Sequence, residues 1–213
     1  MAANQHSVPN SVPSGAPDDG GRRTAIVTTS AIGAVGAACG AFPFVSTFAP
    51  SEKAKAAGAP VEADISQLKE GEMQVFEWRG KPVWVLKRNK EQMASLARSN
   101  DKVVDPKSER KPSELTPEYC RNEARSRKEH AEILVAVGIC SHLGCSPSGP
   151  FGQGGNTAIL AGEHGFVCPC HGSAFDVAGR VYKNKPAPDN LEIPPYMFLS
   201  DSKILIGQDK KEG

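Results

Sequence analysis

Two short segments rich in cysteine and histidine constrain this chain more than any other feature of its sequence. They contain four of its six cysteines and two of its five histidines. The first, box 1, reads CSHLGC over residues 140–145, and the second, box 2, reads CPCHGS over residues 168–173. Each box offers a thiolate and an imidazole separated by one or two residues, so one tight loop can present a ligand to each of two metal ions. The pattern predicts a metal site built from two loops.

The combination of two cysteines and two histidines is the ligand set of a Rieske [2Fe–2S] centre, in which histidines replace two cysteines on one iron. A structural zinc site is the alternative, because Cys2His2 is also a tetrahedral zinc set. Zinc spacing does not account for the extra pair Cys145 and Cys170, one in each box. The extra pair therefore favours the iron–sulfur interpretation over zinc.

Both boxes, and most of the chain from about residue 22 to residue 207, closely resemble the Rieske iron–sulfur subunit of the ubiquinol–cytochrome c oxidoreductase, the cytochrome bc complex. The resemblance implies one [2Fe–2S] cluster whose ligands follow the family pattern. In that pattern Cys140 and Cys168 bind the inner iron, and His142 and His171 bind the outer iron.

The resemblance also implies a disulfide between Cys145 and Cys170 that joins the two boxes. Soluble Rieske ferredoxins and the Rieske domains of oxygenases share the ligand pattern but generally lack this pair. A disulfide argues for an oxidising compartment, because such bonds rarely persist in a reducing cytosol.

The function implied by the resemblance is electron transfer within a quinol-oxidising respiratory complex, a translocase in which catalysis belongs to the assembly. The subunit would take an electron and a coupled proton from ubiquinol at a cytochrome b subunit and pass the electron to a c-type cytochrome, in a dimeric complex. His171, together with His142, is the expected contact with the quinol. The alternatives are an exported Rieske subunit of another oxidoreductase, such as arsenite oxidase, and a zinc-stabilised binding module without a redox role.

Residues around the ligands carry further expectations from the same resemblance. Ser173 corresponds to a serine that donates a hydrogen bond to the cluster, and Phe175 stands where higher-potential relatives carry a tyrosine. Leu143 would shield the cluster and shape a docking face, with core packing as the alternative. The KPAP segment at residues 185–188 resembles a proline-rich loop that covers the cluster, although an ordinary turn is also compatible with it.

The N-terminal part predicts a membrane anchor. Residues 1–23 contain few large apolar side chains and are expected to form a disordered cytoplasmic tail, in which Arg22 and Arg23 resemble a twin-arginine export signal. Residues 24–50 carry no charge and are long enough to cross a bilayer. They exceed the apolar region of about 7–15 residues typical of a cleaved signal peptide, so a retained anchor is favoured. The expected location is the bacterial inner membrane, with lipid contact through a single span and the cluster domain in the periplasm.

The remaining chain is expected to comprise a flexible hinge at residues 51–60 and the Rieske domain at residues 61–213. Charge is nearly balanced, with 25 Lys and Arg against 24 Asp and Glu, which gives no indication of nucleic-acid binding. The basic residues between positions 121 and 128 alternate with glutamates, which is typical of a solvated loop face.

The fold expected for residues 61–213 is mainly β, an antiparallel Rieske-type fold with the cluster-binding loops at one end. A hairpin is predicted at residues 73–87, followed by a short helix capped by Asn89. Further strands are predicted at residues 133–137, 166–167, 174–177, 180–182, 191–193, 196–199 and 203–206. Residues 149–155 are expected to form a flexible connection.

Single residues complete these expectations. Trp78 and Trp84 are expected in the core, Cys120 as a buried thiol, Cys39 as a helix-packing residue and His164 at the surface or beside the ligands.

Overall fold

The computed structural model describes residues 19–51, 58–110, 115–152 and 158–210. The chain divides into two units, residues 1–51 and residues 52–213. The predicted tail over residues 1–18 and the hinge over residues 52–57 lie outside the described residues.

The first unit contains helix α1, Asp19–Ser46, which is long and apolar enough over residues 20–46 to cross a membrane. Its side chains from residue 20 onward are exposed, Cys39 included. The helix begins before the predicted start at residue 24, because the hydrogen-bonded turns continue into the segment that contains the two arginines. The Thr24 hydroxyl, for example, donates to the carbonyl of Gly20 at 3.0 Å.

The second unit contains three antiparallel sheets of three strands each, which confirms the predicted mainly β fold. The first sheet has the order β1 (Val61–Asp64), β9 (Lys203–Ile206), β8 (Tyr196–Ser200). The second has the order β2 (Met73–Trp78), β3 (Lys81–Lys87), β4 (Ile133–Val137). The third has the order β5 (Ser148–Phe151), β6 (Gly165–Val167), β7 (Ala174–Asp176).

The hairpin and the helix predicted from local pattern are both confirmed. Strands β2 and β3 are connected at Arg79 and Gly80, which adopt φ of 53° and 71°. Helix α2, Lys90–Ser99, begins at a capping box in which the Asn89 side chain accepts from the Gln92 N–H at 2.8 Å. The Gln92 side chain in turn accepts from the Asn89 N–H at 3.0 Å, so two unpaired donors at the helix start are satisfied.

Four segments differ from the prediction. Strand β1 was not predicted, and it pairs with β9 at the other end of the domain sequence. Strand β5 occupies part of the predicted flexible connection, while residues 153–157 lie outside the described part of the chain.

Residues 180–182 form isolated antiparallel bridges in place of the predicted strand, Val181 with Phe175 and Tyr182 with Val103, and residues 191–193 do not form a strand. The N–H groups of Val181, Leu191 and Ile193 donate to the Asn190 side chain and to the carbonyls of Gly179 and Leu115, respectively.

The main core contains side chains from all three sheets and includes both cysteines that begin the boxes. Trp84 stacks on Phe166 at 4.7 Å between ring centroids, and Trp78 is also buried, as predicted. Cys120 is a fully buried thiol, also as predicted. His164 is only 6% exposed and lies beside Gly152, so its predicted surface position is wrong.

The charge pattern near residue 125 predicts a solvated face, and Arg121, Glu123, Lys128 and Glu129 are exposed, but Arg125 and Arg127 are not. Arg125 is fully buried because backbone carbonyls and hydroxyls accept all of its guanidinium hydrogen bonds that the structure describes. Arg127 lies over the Tyr119 ring at 3.8 Å and the Tyr196 ring at 5.5 Å. Alternation of charges in the sequence therefore does not distinguish an exposed arginine from a buried one whose hydrogen bonds are accepted by neutral carbonyls and hydroxyls.

Candidate metal centre

The two boxes adopt the same backbone frame. Box 1 follows β4, and box 2 connects β6 to β7. In each box the first residue donates its N–H to the carbonyl five residues later: Cys140 to Cys145 at 2.8 Å, and Cys168 to Ser173 at 2.7 Å. The frame places position one of each box at the closed base of a tight loop.

A glycine at position five of each box completes the frame. Gly144 and Gly172 donate their N–H groups back to the carbonyls of Cys140 and Cys168, at 3.1 and 3.0 Å. Both glycines have positive φ, 81° and 72°, and an added Cβ at either would meet nothing within 4 Å. Conformation, not space, therefore requires glycine here.

The two thiols at position one are buried together. Cys140 and Cys168 are each 2% exposed, both are free, and their side chains are within hydrogen-bonding reach of each other. Burial raises the pKa of the Cys140 thiol, whereas hydrogen bonds from the His142 N–H and the Ser173 hydroxyl lower it. On balance the pKa of the Cys140 thiol is raised, so the thiol would lose its proton when a metal binds it.

The two imidazoles lie at the surface end of the same loops. His142 is partly buried and His171 is exposed, and their ring centroids are 4.9 Å apart with the ring planes at 90°. The four predicted ligands thus divide into a buried sulfur pair and a surface nitrogen pair. This division fits the donor set of a two-iron cluster with one iron held by thiolates and the other by imidazoles.

The disulfide predicted between the boxes is confirmed. Cys145 and Cys170 are bonded at an S–S distance of 2.06 Å. The Cys168 sulfur lies within 4.8 Å of both bridge sulfurs. A cysteine in a disulfide offers no thiolate. The disulfide therefore supports the loops beside the predicted ligand Cys168 and does not extend the ligand set.

A third loop at residues 185–189 contacts both boxes through serine hydroxyls. The Ser173 hydroxyl accepts from the Ala187 N–H at 3.0 Å. The Ser141 hydroxyl donates to the Asp189 carbonyl at 2.6 Å and accepts from the Asp189 N–H at 3.3 Å. Sequence analysis missed Ser141, although a hydroxyl between two predicted ligands was a usable signal. The contacts favour a covering loop over an ordinary turn at residues 185–188.

Two further residues of the predicted site occupy contrasting environments. Leu143 is 70% exposed at the tip of box 1, which excludes the alternative of core packing. Phe175 is fully buried, pairs with Phe166 across β6 and β7, and belongs to the same core as Cys140 and Cys168.

Comparisons with known proteins agree with this geometry. The Rieske [2Fe-2S] domain family matches residues 110–195. The ubiquinol-cytochrome c reductase iron-sulfur subunit of Allochromatium vinosum is 51% identical over 194 residues, which cover 89% of this chain and 89% of that protein. The subunit of the same name from Bradyrhizobium diazoefficiens is 42% identical over 183 residues, covering 85% and 90% of the two chains.

Among solved structures, a chain of a hyperthermophilic respiratory Complex III is similar with 26% identity and a TM-score of 0.42. The match covers 84% of this chain and 97% of that chain.

The region matched by the domain family includes both boxes and the third loop, so the cofactor of this site is a Rieske-type [2Fe–2S] cluster. The similarity to the curated relatives extends well beyond that region, over most of the chain. The chain therefore belongs to the family of bacterial ubiquinol–cytochrome c reductase iron–sulfur subunits.

Proposed function

We propose that this protein is the electron-carrying subunit of a respiratory quinol-oxidising complex, in which Cys140 and Cys168 bind the inner iron and His142 and His171 the outer iron. The observation that carries the proposal is the division of these side chains into a buried thiol pair and a surface imidazole pair. When bound, the cluster accepts one electron, at a potential of about −150 to +300 mV because two neutral imidazoles replace two thiolates.

The exposed imidazole of His171 is the proposed contact with the quinol. A quinol hydroxyl that donates to its free ring nitrogen can pass a proton to that nitrogen. Imidazole suits this role because its charge changes near neutral pH. The ring of His142 lies beside it and is less accessible, so it is the secondary contact.

Residues around the imidazoles would define the contact surface and support the ligands. The exposed Leu143 would cover the cluster and shape the docking face for a cytochrome b subunit. Ser173, whose hydroxyl oxygen accepts from the Ala187 N–H and whose proton is directed to the Cys140 sulfur, would donate a hydrogen bond to that sulfur when it binds the cluster. Such a donor stabilises the reduced, more negative state.

The membrane arrangement is part of the same proposal. Helix α1 would anchor the protein in the bacterial inner membrane, with the N-terminus in the cytoplasm and the cluster domain in the periplasm. Residues 51–60 would act as a hinge that lets the cluster domain move between a cytochrome b and a c-type cytochrome subunit of a dimeric complex. Ubiquinol and cytochrome c are the substrates named for the relatives.

The proposal is tested by replacing each imidazole in the full chain, expressed with its complex in native membranes. His171→Ala and His142→Ala should each remove the Rieske EPR signal and abolish ubiquinol-dependent reduction of cytochrome c. His130→Gln is the matched control, because His130 is a partly exposed histidine outside the boxes that stacks on Phe198. A full Rieske signal in either box variant would contradict the ligand assignment.

A further inference from the structure

Three arginines are buried in the cluster domain at a distance in sequence from both boxes. Arg88, Arg125 and Arg180 are 2%, 0% and 0% exposed. Removing a charge from water is costly unless it is compensated. Of these three arginines, only Arg180 forms an ion pair with a described residue, with its Nε 2.7 Å from Asp176 Oδ2. The fold thus retains two guanidinium groups without a carboxylate partner of their own.

All three guanidinium groups converge on one turn, residues 176–180. Arg180 binds the carboxylate that begins this turn. Arg88 donates to the Val177 carbonyl at 3.3 Å, and Arg125 donates to the carbonyls of Ala178 and Gly179 at 3.0 and 3.1 Å. The carbonyls of residues 177–179 and the Asp176 carboxylate therefore all accept from a buried guanidinium group.

The charges around this turn do not cancel. Among the described residues the buried carboxylates are Asp176 and Glu163, and Glu163 pairs instead with Arg98 and Lys102. The turn is left with three guanidinium groups against one buried carboxylate. Glu132 and Asp105, whose charges also act on Arg88 and Arg125, are partly exposed, so solvent screens them. Burial lowers the pKa of Arg88 and of Arg125 to about 10, and the nearby Asp176 opposes that effect. Both side chains consequently remain charged at neutral pH.

The turn is connected to the metal centre through the buried apolar core. It follows directly on β7, the strand that leaves box 2. Phe175 and Val177 on either side of Asp176 belong to the same buried core as the thiols of Cys140 and Cys168. Charges separated by an apolar medium interact more strongly than charges separated by water.

We propose that the buried arginines around residues 176–180, with Asp176 as the one buried carboxylate among the described residues of this turn, raise the reduction potential of the cluster. Reduction adds one negative charge to the site, and the excess positive charge stabilises that state. The inference rests on the proposed ligand assignment. The competing explanation is that the arginines only hold the turn in place by hydrogen bonding.

The test compares variants that change charge in opposite directions, using EPR-monitored redox titration of the full chain in its membrane complex. Arg88→Gln removes a positive charge and should lower the midpoint potential. Arg88→Lys keeps the charge but loses the planar hydrogen-bonding group, so the potential should stay close to that of the wild type. Asp176→Asn removes the negative charge and should raise the potential.

Arg98→Gln is the matched control. Arg98 also pairs with a carboxylate, but 44% of its side chain is exposed, so solvent screens its charge. The midpoint potential of Arg98→Gln should therefore equal that of the wild type. A merely structural role predicts no opposition of sign between Arg88→Gln and Asp176→Asn.

The inference is overturned if these two variants keep the cluster signal and show shifts of the same sign or none. It is also overturned if Arg88→Lys shifts as far as Arg88→Gln, or if both Arg88→Gln and Asp176→Asn lose the cluster, because a structural role then suffices. Should only Arg88→Gln lose the cluster, a raised potential in Asp176→Asn supports the inference and an unchanged one overturns it. Absence of a Rieske signal in the wild-type protein would instead contradict the proposed function.

Discussion

Box 1 and box 2 share a backbone but use it differently. Both close with a hydrogen bond between positions one and six and both require glycine at position five. Box 1 carries its histidine at position three, where the ring is partly buried, and box 2 carries its histidine at position four, where the ring is exposed. The comparison shows that the frame fixes the thiol at its base, while a shift of one residue decides how far the imidazole reaches into solvent.

The supporting groups are also exchanged between the boxes. Position six is the bridged Cys145 in box 1 and the hydroxyl of Ser173 in box 2. The disulfide partner in box 2, Cys170, stands at position three, where box 1 has its histidine. The same backbone frame thus places a predicted ligand, a disulfide cysteine and a contact to the third loop at different positions in the two boxes.

The largest effect is expected at position one, where the boxes are equivalent. Cys140→Ala and Cys168→Ala should each abolish the cluster, because each removes a proposed ligand of the inner iron from the same buried environment. Iron content and the visible spectrum of the purified protein measure the loss. Cys120→Ala, which removes a buried thiol outside the boxes, should keep the cluster. An intact cluster in only one of the two box variants would break the equivalence.

The next largest effect concerns the crosslink between the boxes. The double replacement of Cys145 and Cys170 by serine should lower the free energy of unfolding by about 2–4 kcal/mol, because the unfolded chain without the crosslink gains conformational freedom. The cluster should still assemble, since no iron ligand is lost. Thermal unfolding followed through the cluster absorbance measures the change, with Cys39→Ser as control. Two free thiols in the native protein by mass spectrometry would contradict the crosslink.

A smaller loss of stability, equal in the two boxes, is expected at Gly144 and Gly172. Gly144→Ala and Gly172→Ala should each cost about 1–2 kcal/mol, because a residue with a Cβ is strained at positive φ even where space is open. Chemical denaturation of the two variants, with the exposed Ser146→Ala as control, measures both costs in the same way. A clear cost in one box alone would show that the frames are not equivalent.

The smallest effect is expected from a hydroxyl added beside box 2. Phe175→Tyr should supply a hydrogen bond to a cluster sulfur, worth about 0.5–1.5 kcal/mol, and raise the midpoint potential by about 20–65 mV. Ser173→Ala should lower the potential by a comparable amount, because it removes a donor. Voltammetry measures both. An unchanged or lowered potential in Phe175→Tyr with an intact cluster would show that Phe175 does not occupy the position assigned to it.

Local pattern predicts only those elements whose determinants are local. The β2–β3 hairpin and the Asn89 cap depend on neighbouring residues, and both were predicted from sequence. Strand β1 forms only because β9 lies beside it, and no local pattern identifies so distant a partner. Strand β5 contains Gly149 and Pro150, residues that locally favour a turn, yet it pairs with β6.

The same distinction between local and long-range determinants applies to the metal centre. The box residues were recognisable because their types and spacing are chemically specific, and the disulfide followed from family resemblance. The support from Ser141 and the burial of Arg125 depend on carbonyls supplied by remote segments. Such contacts arise only when the chain is folded, so alternation of charge gave the wrong environment for Arg125.

The most direct test of the account is pulsed EPR of the reduced full-length protein, which detects nitrogen bound to the cluster. Two distinct nitrogen couplings are expected in the wild-type protein, from the imidazoles of His142 and His171. A reduced cluster without nitrogen coupling, or a protein without any cluster signal, would contradict the central claim that two loops on one frame hold iron through thiolates on the inside and imidazoles at the surface.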